Sequence, residues 1–108
     1  MRDRHPCVYI LASAPDGTLY VGVTADLPAR ITQHRDGTFG GFAAEHGVHC
    51  LVYFEVHDTM ADAIAREKQL KRYRRDWKRN LIERDNPRWD DLGPAIGLEP
   101  LRSKKKAR

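Results

Sequence analysis

Hydrophobic and polar positions along the chain change their period several times, and these changes predict the order β-β-α-β-α-α. A continuous apolar run at 7–12 predicts a strand that is buried on both faces. An alternating run at 18–24 predicts a second strand, and the turn residues at 14–17 predict an antiparallel hairpin between the two. A third apolar run, at 51–56, predicts a third strand.

Helical spacing follows the hairpin and again follows the third strand. Asp26 is placed to cap a helix over 27–36. Thr59 is placed to cap a second helix, whose apolar period continues to Leu81 as one long helix or as two helices broken near 74–76.

The predicted fold class is therefore a small α/β (α+β) domain. Its three-stranded, mainly antiparallel sheet has one face that needs cover, and the helices supply it. We expect the domain to span 5–92, with a basic and flexible tail over 93–108. The segment at 37–48 contains four glycines and predicts a loop with at most one short helical turn.

Composition narrows the class of protein to which the chain can belong. The chain has 108 residues, of which 41% are hydrophobic and 31% charged, as in one soluble globular domain. No apolar run approaches the roughly 18 residues of a membrane span, and no signal-peptide pattern follows the charged N-terminus. Cys7 and Cys50 lie in or beside apolar runs and are expected to be reduced, so we predict a cytoplasmic protein.

Charge is distributed unevenly. The formal net charge is +4, but residues 102–108 alone carry five basic groups and no acidic group. Residues 66–88 carry ten basic and four acidic groups, a net of +6. This basic block indicates a polyanionic partner better than the overall charge does.

Five side chains with polar groups are candidates for chemistry. Three of them lie where the helical pattern favours apolar residues, and two tyrosines share one face of the hairpin. Arg30 and His34 lie one helical turn apart beside the apolar stripe of the first helix, and Glu67 falls in the stripe of the second. The four-residue turn places Tyr9 and Tyr20 on one face of the hairpin as diagonal neighbours.

Such a set suits hydrolysis of a phosphodiester bond. A phenol can accept or relay the proton of an attacking water. A guanidinium binds phosphate oxygens in a fork, and a carboxylate can hold one Mg²⁺ ion.

These residues carry a resemblance to the GIY-YIG nuclease superfamily, most closely to its small stand-alone bacterial members. The first motif reads Cys7-Val8-Tyr9, with Cys-Val in place of Gly-Ile, and the second reads Tyr20-Val21-Gly22. The stretches at 24–34 and 65–71 resemble the family segments that carry the Arg and His and the metal-binding Glu, and 86–89 is typical of the stand-alone subgroup. The resemblance covers about 5–92.

The resemblance implies a metal-dependent endonuclease that cuts DNA. Tyr9 and Tyr20 would bracket the attacking water, one of them as general base. Arg30 would stabilise the scissile phosphate, His34 would assist proton transfer or phosphate binding, and Glu67 would hold a single Mg²⁺ (or Mn²⁺). The family also has an active-site Asn, for which Asn80 is the marginal choice over Asn86.

Several other assignments follow from the basic block and the small size. Arg72, Arg75, Arg79 and Asn80 are candidates for substrate binding, while Tyr73 and Trp77 are expected in the core, with stacking on bases as the alternative. We expect weak sequence preference, a flapped, branched or damaged DNA target, or a protein partner that supplies targeting. A role in DNA repair is one of several that remain open.

Different classes of function remain as rivals. The chain could be a catalytically silent nucleic-acid-binding module with this fold, or a protein-interaction module that uses the basic face. A zinc site built from His5, Cys7, His46, His49 and Cys50 is a weaker alternative, because the cysteines are not paired as CxxC.

Overall fold

The computed structural model describes residues 5–37 and 47–99. Strands β1 (Cys7–Ala12), β2 (Leu19–Thr24) and β3 (Cys50–Val56) form one antiparallel sheet in the order β2-β1-β3. Three α-helices and a short 3-10 helix complete this part of the chain, and none of its helices is long and apolar enough to cross a bilayer. The helices are α1 Leu27–Arg35, α2 Met60–Arg72, α3 Arg75–Asp85 and the 3-10 helix Gly93–Ile96.

The predicted element order and the three-stranded sheet are confirmed. The hairpin closes through the predicted turn, where the Gly17 N–H donates to the Ala14 carbonyl at 2.8 Å. Beside it, the Ser13 N–H donates to the Thr18 carbonyl at 3.0 Å, which sets the register of the two strands.

Strand β1 lies in the centre of the sheet, and all six of its residues are buried. Because side chains alternate along a strand, Val8, Ile10 and Ala12 face one core and the other three residues face a second. Helices α2 and α3 pack on the first face, and α1 packs on the second. The expectation that only one face needs cover is therefore wrong.

The second helical region is two helices. Tyr73 and Arg74 both adopt extended backbone angles between α2 and α3, so the chain turns there. At the start of α2, the Thr59 hydroxyl accepts from the Asp62 N–H at 3.0 Å, as the capping pattern predicts.

Three apolar positions of this region, among them Met60 at 36%, are more exposed than their spacing predicts. Helix α2 buries Ala63 and Leu70, but Ile64 is 38% exposed. Trp77 is 49% exposed, so its predicted place in the core is wrong, while Tyr73 is partly buried against the core. The helical period identifies a face, but α2 and α3 each contact the sheet over only part of that face.

Ordered structure continues past the boundary predicted at residue 92. The 3-10 helix Gly93–Ile96 packs against α1, and Arg35 pairs with Asp91 at 2.6 Å. The Leu92 N–H donates to the Leu51 carbonyl at 2.8 Å, which ties this segment to β3. Residues 100–108 of the predicted tail and most of the predicted glycine-rich loop lie outside the described residues.

Candidate active site

The two tyrosines of the hairpin meet as the register predicts. Tyr9 is opposite Gly22 and Tyr20 is opposite Leu11, so the two tyrosines are diagonal neighbours on the face that α1 covers. Their ring centroids are 6.4 Å apart. Tyr9 is fully buried, whereas Tyr20 is partly accessible from solvent.

A glycine opposite Tyr9 makes this arrangement possible. A Cβ atom at Gly22 would lie 2.4 Å from both the Cζ and the Oη of Tyr9. The phenol ring therefore lies across the Gly22 backbone, in space that any side chain would fill. The second motif thus supplies a phenol through Tyr20 and the room for the other phenol through Gly22.

Helix α1 brings the imidazole and the guanidinium to the tyrosines. Leu27 and Ile31 anchor the helix in the core, and His34 follows on the same buried side one turn later. The His34 ring lies 5.8 Å from the Tyr9 ring and 5.4 Å from the Tyr20 ring, centroid to centroid, and its Nε2 is 2.9 Å from the Tyr9 Oη. Arg30 also hydrogen-bonds to the Tyr9 side chain.

Burial keeps both central groups uncharged near neutral pH. It raises the pKa of Tyr9 to about 12, with a further contribution from Tyr20, against the opposing effect of the Arg30 hydrogen bond. Burial, together with the nearby Arg30 and His49, lowers the pKa of His34 to about 4. Tyr9 is thus a neutral phenol whose Oη is hydrogen-bonded to the Nε2 of a neutral His34 and accepts from Arg30.

Glu67 approaches this cluster from α2, which contacts β1 and β2. Its side chain is only 13% exposed and forms an ion pair with Lys71 at 2.7 Å. The Glu67 carboxylate is among the charges that raise the pKa of Tyr9, so its field reaches the phenol. Tyr9, Tyr20, Arg30 and His34 thus meet on the face that α1 covers, whereas Glu67 acts on Tyr9 through its charge from α2, which packs on the other face.

The donor set fits one hard divalent cation held by a single carboxylate. Within 5–37 and 47–99, no three His, Cys, Asp or Glu side chains come together as a multidentate metal site. Mg²⁺ is commonly bound in this way, through one or two carboxylates with waters and substrate phosphates as the other ligands. Glu67 is therefore the residue that would hold the ion. The alternative zinc site has no such cluster to support it in the described part of the chain, and His46 lies outside that part.

The predicted substrate-binding residues lie on the other helices and differ in their contacts. Arg75 and Arg79 both reach Asp16 in the β1–β2 turn, at 3.4 Å, and Arg75 also donates to the Asp16 backbone carbonyl at 2.7 Å. Arg72 and Asn80 are exposed. Two of the four candidates thus help to hold α3 against the hairpin.

Asn86 is the buried member of the two candidate asparagines, but its amide is engaged in the fold. The Nδ2 group donates to the Val52 carbonyl at 3.1 Å and to the Asp90 carbonyl at 2.9 Å, and Oδ1 accepts from the Asp90 N–H at 2.9 Å. These bonds tie the end of α3 to β3, on the side of the sheet away from Tyr9. Asn86 therefore has a structural role.

His49 is a site neighbour that the sequence pattern did not single out for catalysis. It directly precedes β3, and its charge contributes to the lowered pKa of His34. The two histidines lie 15 positions apart in the chain, and only the packing of α1 against β3 brings them together. A local motif carries no signal for such a contact.

Comparison with known proteins agrees with this geometry. Residues 5–80 match the model of the GIY-YIG catalytic domain. A UPF0213 protein of Haloquadratum walsbyi is 36% identical over 83 residues, which cover 77% of this chain and 91% of that protein. A UPF0213 protein of Staphylococcus aureus is 36% identical over 76 residues, covering 70% and 92%.

A solved structure shares the fold. The solution NMR structure of the UPF0213 protein BH0048 from Bacillus halodurans aligns with a TM-score of 0.51 and 24% identity. The alignment covers 88% of this chain and 99% of that one.

Proposed function

Because this chain belongs to the GIY-YIG catalytic domain family, a family of nucleases, we propose that it is a metal-dependent endonuclease that hydrolyses phosphodiester bonds in DNA. The observation that carries the proposal is the convergence on one buried phenol. His34 lies 2.9 Å from the Tyr9 hydroxyl, Arg30 hydrogen-bonds to it, and both Tyr20 and Glu67 influence its ionisation.

The Tyr9–His34 hydrogen bond provides a path for the proton of the attacking water. A phenol with a pKa of about 12 is a poor acid, so a free Tyr9 phenolate is scarce at neutral pH. With the single ring proton of His34 on Nδ1, the water can instead pass a proton to the Tyr9 oxygen while the phenol proton moves to the Nε2 of His34. The neutral state of His34 is required for this transfer, and burial maintains it.

The remaining side chains supply charge and position. Arg30 would bind a non-bridging oxygen of the scissile phosphate and stabilise the charge that develops on it. Tyr20, the more accessible phenol, would contact the water or the phosphate from the open side. Glu67 would hold one Mg²⁺ or Mn²⁺, which supplies Lewis-acid stabilisation of the phosphate and its leaving oxygen when bound.

The target is proposed to be defined by DNA structure more than by base sequence. In the proposed roles the five side chains would all act on the phosphodiester or the metal, which leaves none of them to read base edges. Flapped, branched or damaged DNA, or a protein partner that delivers the enzyme to its site, would supply selectivity.

The proposal is tested by cleavage of labelled single-stranded, duplex, flapped and branched DNA, and of RNA, with Mg²⁺ or Mn²⁺ and with chelator. Tyr20→Phe and Glu67→Ala are the test variants, and Asp85→Ala is the matched carboxylate control because Asp85 is exposed at the end of α3. Metal-dependent cleavage that both test variants lose and the control keeps supports the enzyme. Binding without cleavage across the panel, unchanged by either test variant, would instead show a silent binding module.

A further inference from the structure

An exposed aromatic and cationic surface lies at the junction of α2 and α3. We call it the Trp77 platform, and it consists of Tyr73, Arg74 and Trp77. The Tyr73 and Trp77 rings meet edge to face with centroids 5.3 Å apart, and the Arg74 guanidinium lies 5.0 Å from the centre of the Trp77 ring. Such cation–π contacts hold both groups in place.

Comparison with Trp89, the other tryptophan of the chain, shows that the exposure of Trp77 is unusual. Trp89 is 6% exposed, and its indole N–H donates to Glu83 at 2.6 Å. Trp77 is 49% exposed and is among the large apolar side chains that the fold leaves at the surface. A tryptophan in that position offers an aromatic face to a ligand.

The platform has a rigid base. The Arg66 guanidinium lies 5.8 Å from the centre of the Tyr73 ring, and Arg66 is itself held by Glu55, with Nη2 and Oε2 2.9 Å apart. Tyr73 is thereby fixed between Arg66 and Trp77. A preorganised ring pair loses little entropy when a flat ligand stacks on it.

Its surroundings are strongly positive. Residues 66–79 contain eight basic and two acidic groups, a net of +6 over 14 positions. Arg75 and Arg79 are engaged with the hairpin turn. Arg74 pairs with Asp76 at 3.6 Å, but its side chain is 69% exposed, and Arg72 is exposed as well. An exposed ring among exposed guanidinium groups matches the chemistry of a nucleic-acid strand, which presents flat bases beside phosphates.

We propose that the Trp77 platform stacks an unpaired base of a single-stranded segment of DNA, with Arg72 and Arg74 on the adjoining phosphates. The inference rests on the proposed function for the class of ligand and adds a preference for strands with unpaired bases. Helix α2 links the platform to the active site, because Arg72 follows Glu67 by five residues, about 7.5 Å along the helix. Arg72, which adjoins the platform, thus follows the proposed metal-binding carboxylate by about one and a half turns of the same helix.

The test is binding of fluorescent 15-nucleotide single strands and the matching duplex by the full chain in chelator, where no cleavage interferes. We expect Trp77→Ala to weaken single-strand binding by about 5- to 100-fold, the range for loss of one stacked base, and duplex binding by less than about 2-fold. Trp77→Phe keeps a ring and should fall between Trp77→Ala and the unchanged protein.

The contribution of the Arg74 charge to single-strand binding is tested by a matched pair of variants. Arg74→Ala and Arg84→Ala remove the same charge from exposed positions, 69% and 65%, but only Arg74 contacts Trp77. Arg74→Ala should weaken single-strand binding more than Arg84→Ala does. Quenching of the intrinsic fluorescence by the single strand should be lost in Trp77→Phe, because Trp89 is buried.

Equal loss of single-strand and duplex binding in Trp77→Ala, or no loss of either, would overturn the platform, as would absence of DNA binding. A dimer that dissolves in Trp77→Ala would show that a second copy occupies this surface, and would also overturn it. These outcomes are separate from the nuclease test. Trp77-dependent binding without metal-dependent cleavage would refute the proposed nuclease activity and support the Trp77 platform. Metal-dependent cleavage that does not depend on Trp77 would support the nuclease activity and refute the platform.

Discussion

Two tyrosines in neighbouring strands of the same sheet have opposite surroundings. Tyr53 of β3 donates to Glu55, and that carboxylate is also bonded to Arg66 and His57. Tyr9 of β1 is hydrogen-bonded to His34 and Arg30, and among residues 5–37 and 47–99 no carboxylate is hydrogen-bonded to its hydroxyl. Burial raises the pKa of both phenols, so burial alone does not distinguish a site from a scaffold.

The surroundings of Tyr53 and Tyr9 differ in how the charged groups are paired. Burial opposes ionisation of Glu55, but hydrogen bonds from Arg66, Tyr53 and His57 hold the pKa of its carboxyl below the usual value. That network joins α2 to β3 as a closed unit. Around Tyr9, by contrast, the groups gather at a neutral phenol next to a solvent-accessible tyrosine, where the proposed function places a charged substrate.

The largest effect expected from this comparison is on cleavage. Tyr9→Phe should lower the single-turnover rate by about 10²- to 10⁴-fold, because it removes the atom that receives the proton of the water. Tyr53→Phe, the matched control on the other face, should leave the rate within a few-fold. Equal losses in the two variants would contradict the assignment.

For stability, unlike cleavage, the residue of the closed network should matter more than the residue of the site, and the carboxylates Glu55 and Glu67 test this. Glu55→Gln should lower the free energy of unfolding by about 1–3 kcal/mol, because Arg66 and His57 lose a half-buried partner. Glu67→Gln should cost less than about 1 kcal/mol, because its partner Lys71 is 53% exposed. Urea unfolding measures both, and a larger loss for Glu67→Gln would argue that Glu67 is structural.

The hairpin is expected to tolerate no side chain at Gly22. Gly22→Ala places a methyl group on the Tyr9 ring, so it should cost about 1–3 kcal/mol and also displace the phenol from His34. Gly37→Ala is the control, because its Cβ meets open space although its φ of +80° strains an alanine. Both variants should lose stability in urea, but only Gly22→Ala should lose cleavage beyond that explained by unfolding.

A smaller effect is expected in the pH dependence of stability. His34 has a folded pKa of about 4 against about 6.5 when unfolded, so between these values only the unfolded chain binds the proton. Stability should therefore fall as the pH is lowered from 7 to 5, by about 2 kcal/mol from this residue. Urea titrations of the unchanged chain and of His34→Gln should differ by that amount, and parallel pH profiles would contradict a buried neutral imidazole.

Local chemistry explains why much of the fold was predictable. The turn at 14–17 and the cap at Thr59 both act through bonds between near neighbours. The turn also sets the register of the hairpin, which places Tyr9 beside Tyr20. Side chains that depend on distant packing were less predictable. The exposure of Ile64 and Trp77 depends on where α2 and α3 leave the sheet.

The same reasoning applies to the site. The spacing of Arg30 and His34 on one helix predicted their common approach to the tyrosines, and the structure brings both to Tyr9. The proximity of His49 and the structural role of Asn86 depend on contacts between distant segments, which no local pattern encodes.

The most direct test of the account is a double-mutant cycle on the single-turnover cleavage rate, with Tyr9→Phe, His34→Gln and the two combined. If the phenol and the imidazole pass one proton between them, each single variant removes the same path. The double variant should then cleave at no less than about one third of the rate of the slower single variant. The reason is that the effects of mutating residues that act as a unit are strongly non-additive. Rate losses that multiply in the double variant, or single variants that cleave at the unchanged rate, would contradict a shared proton path at Tyr9.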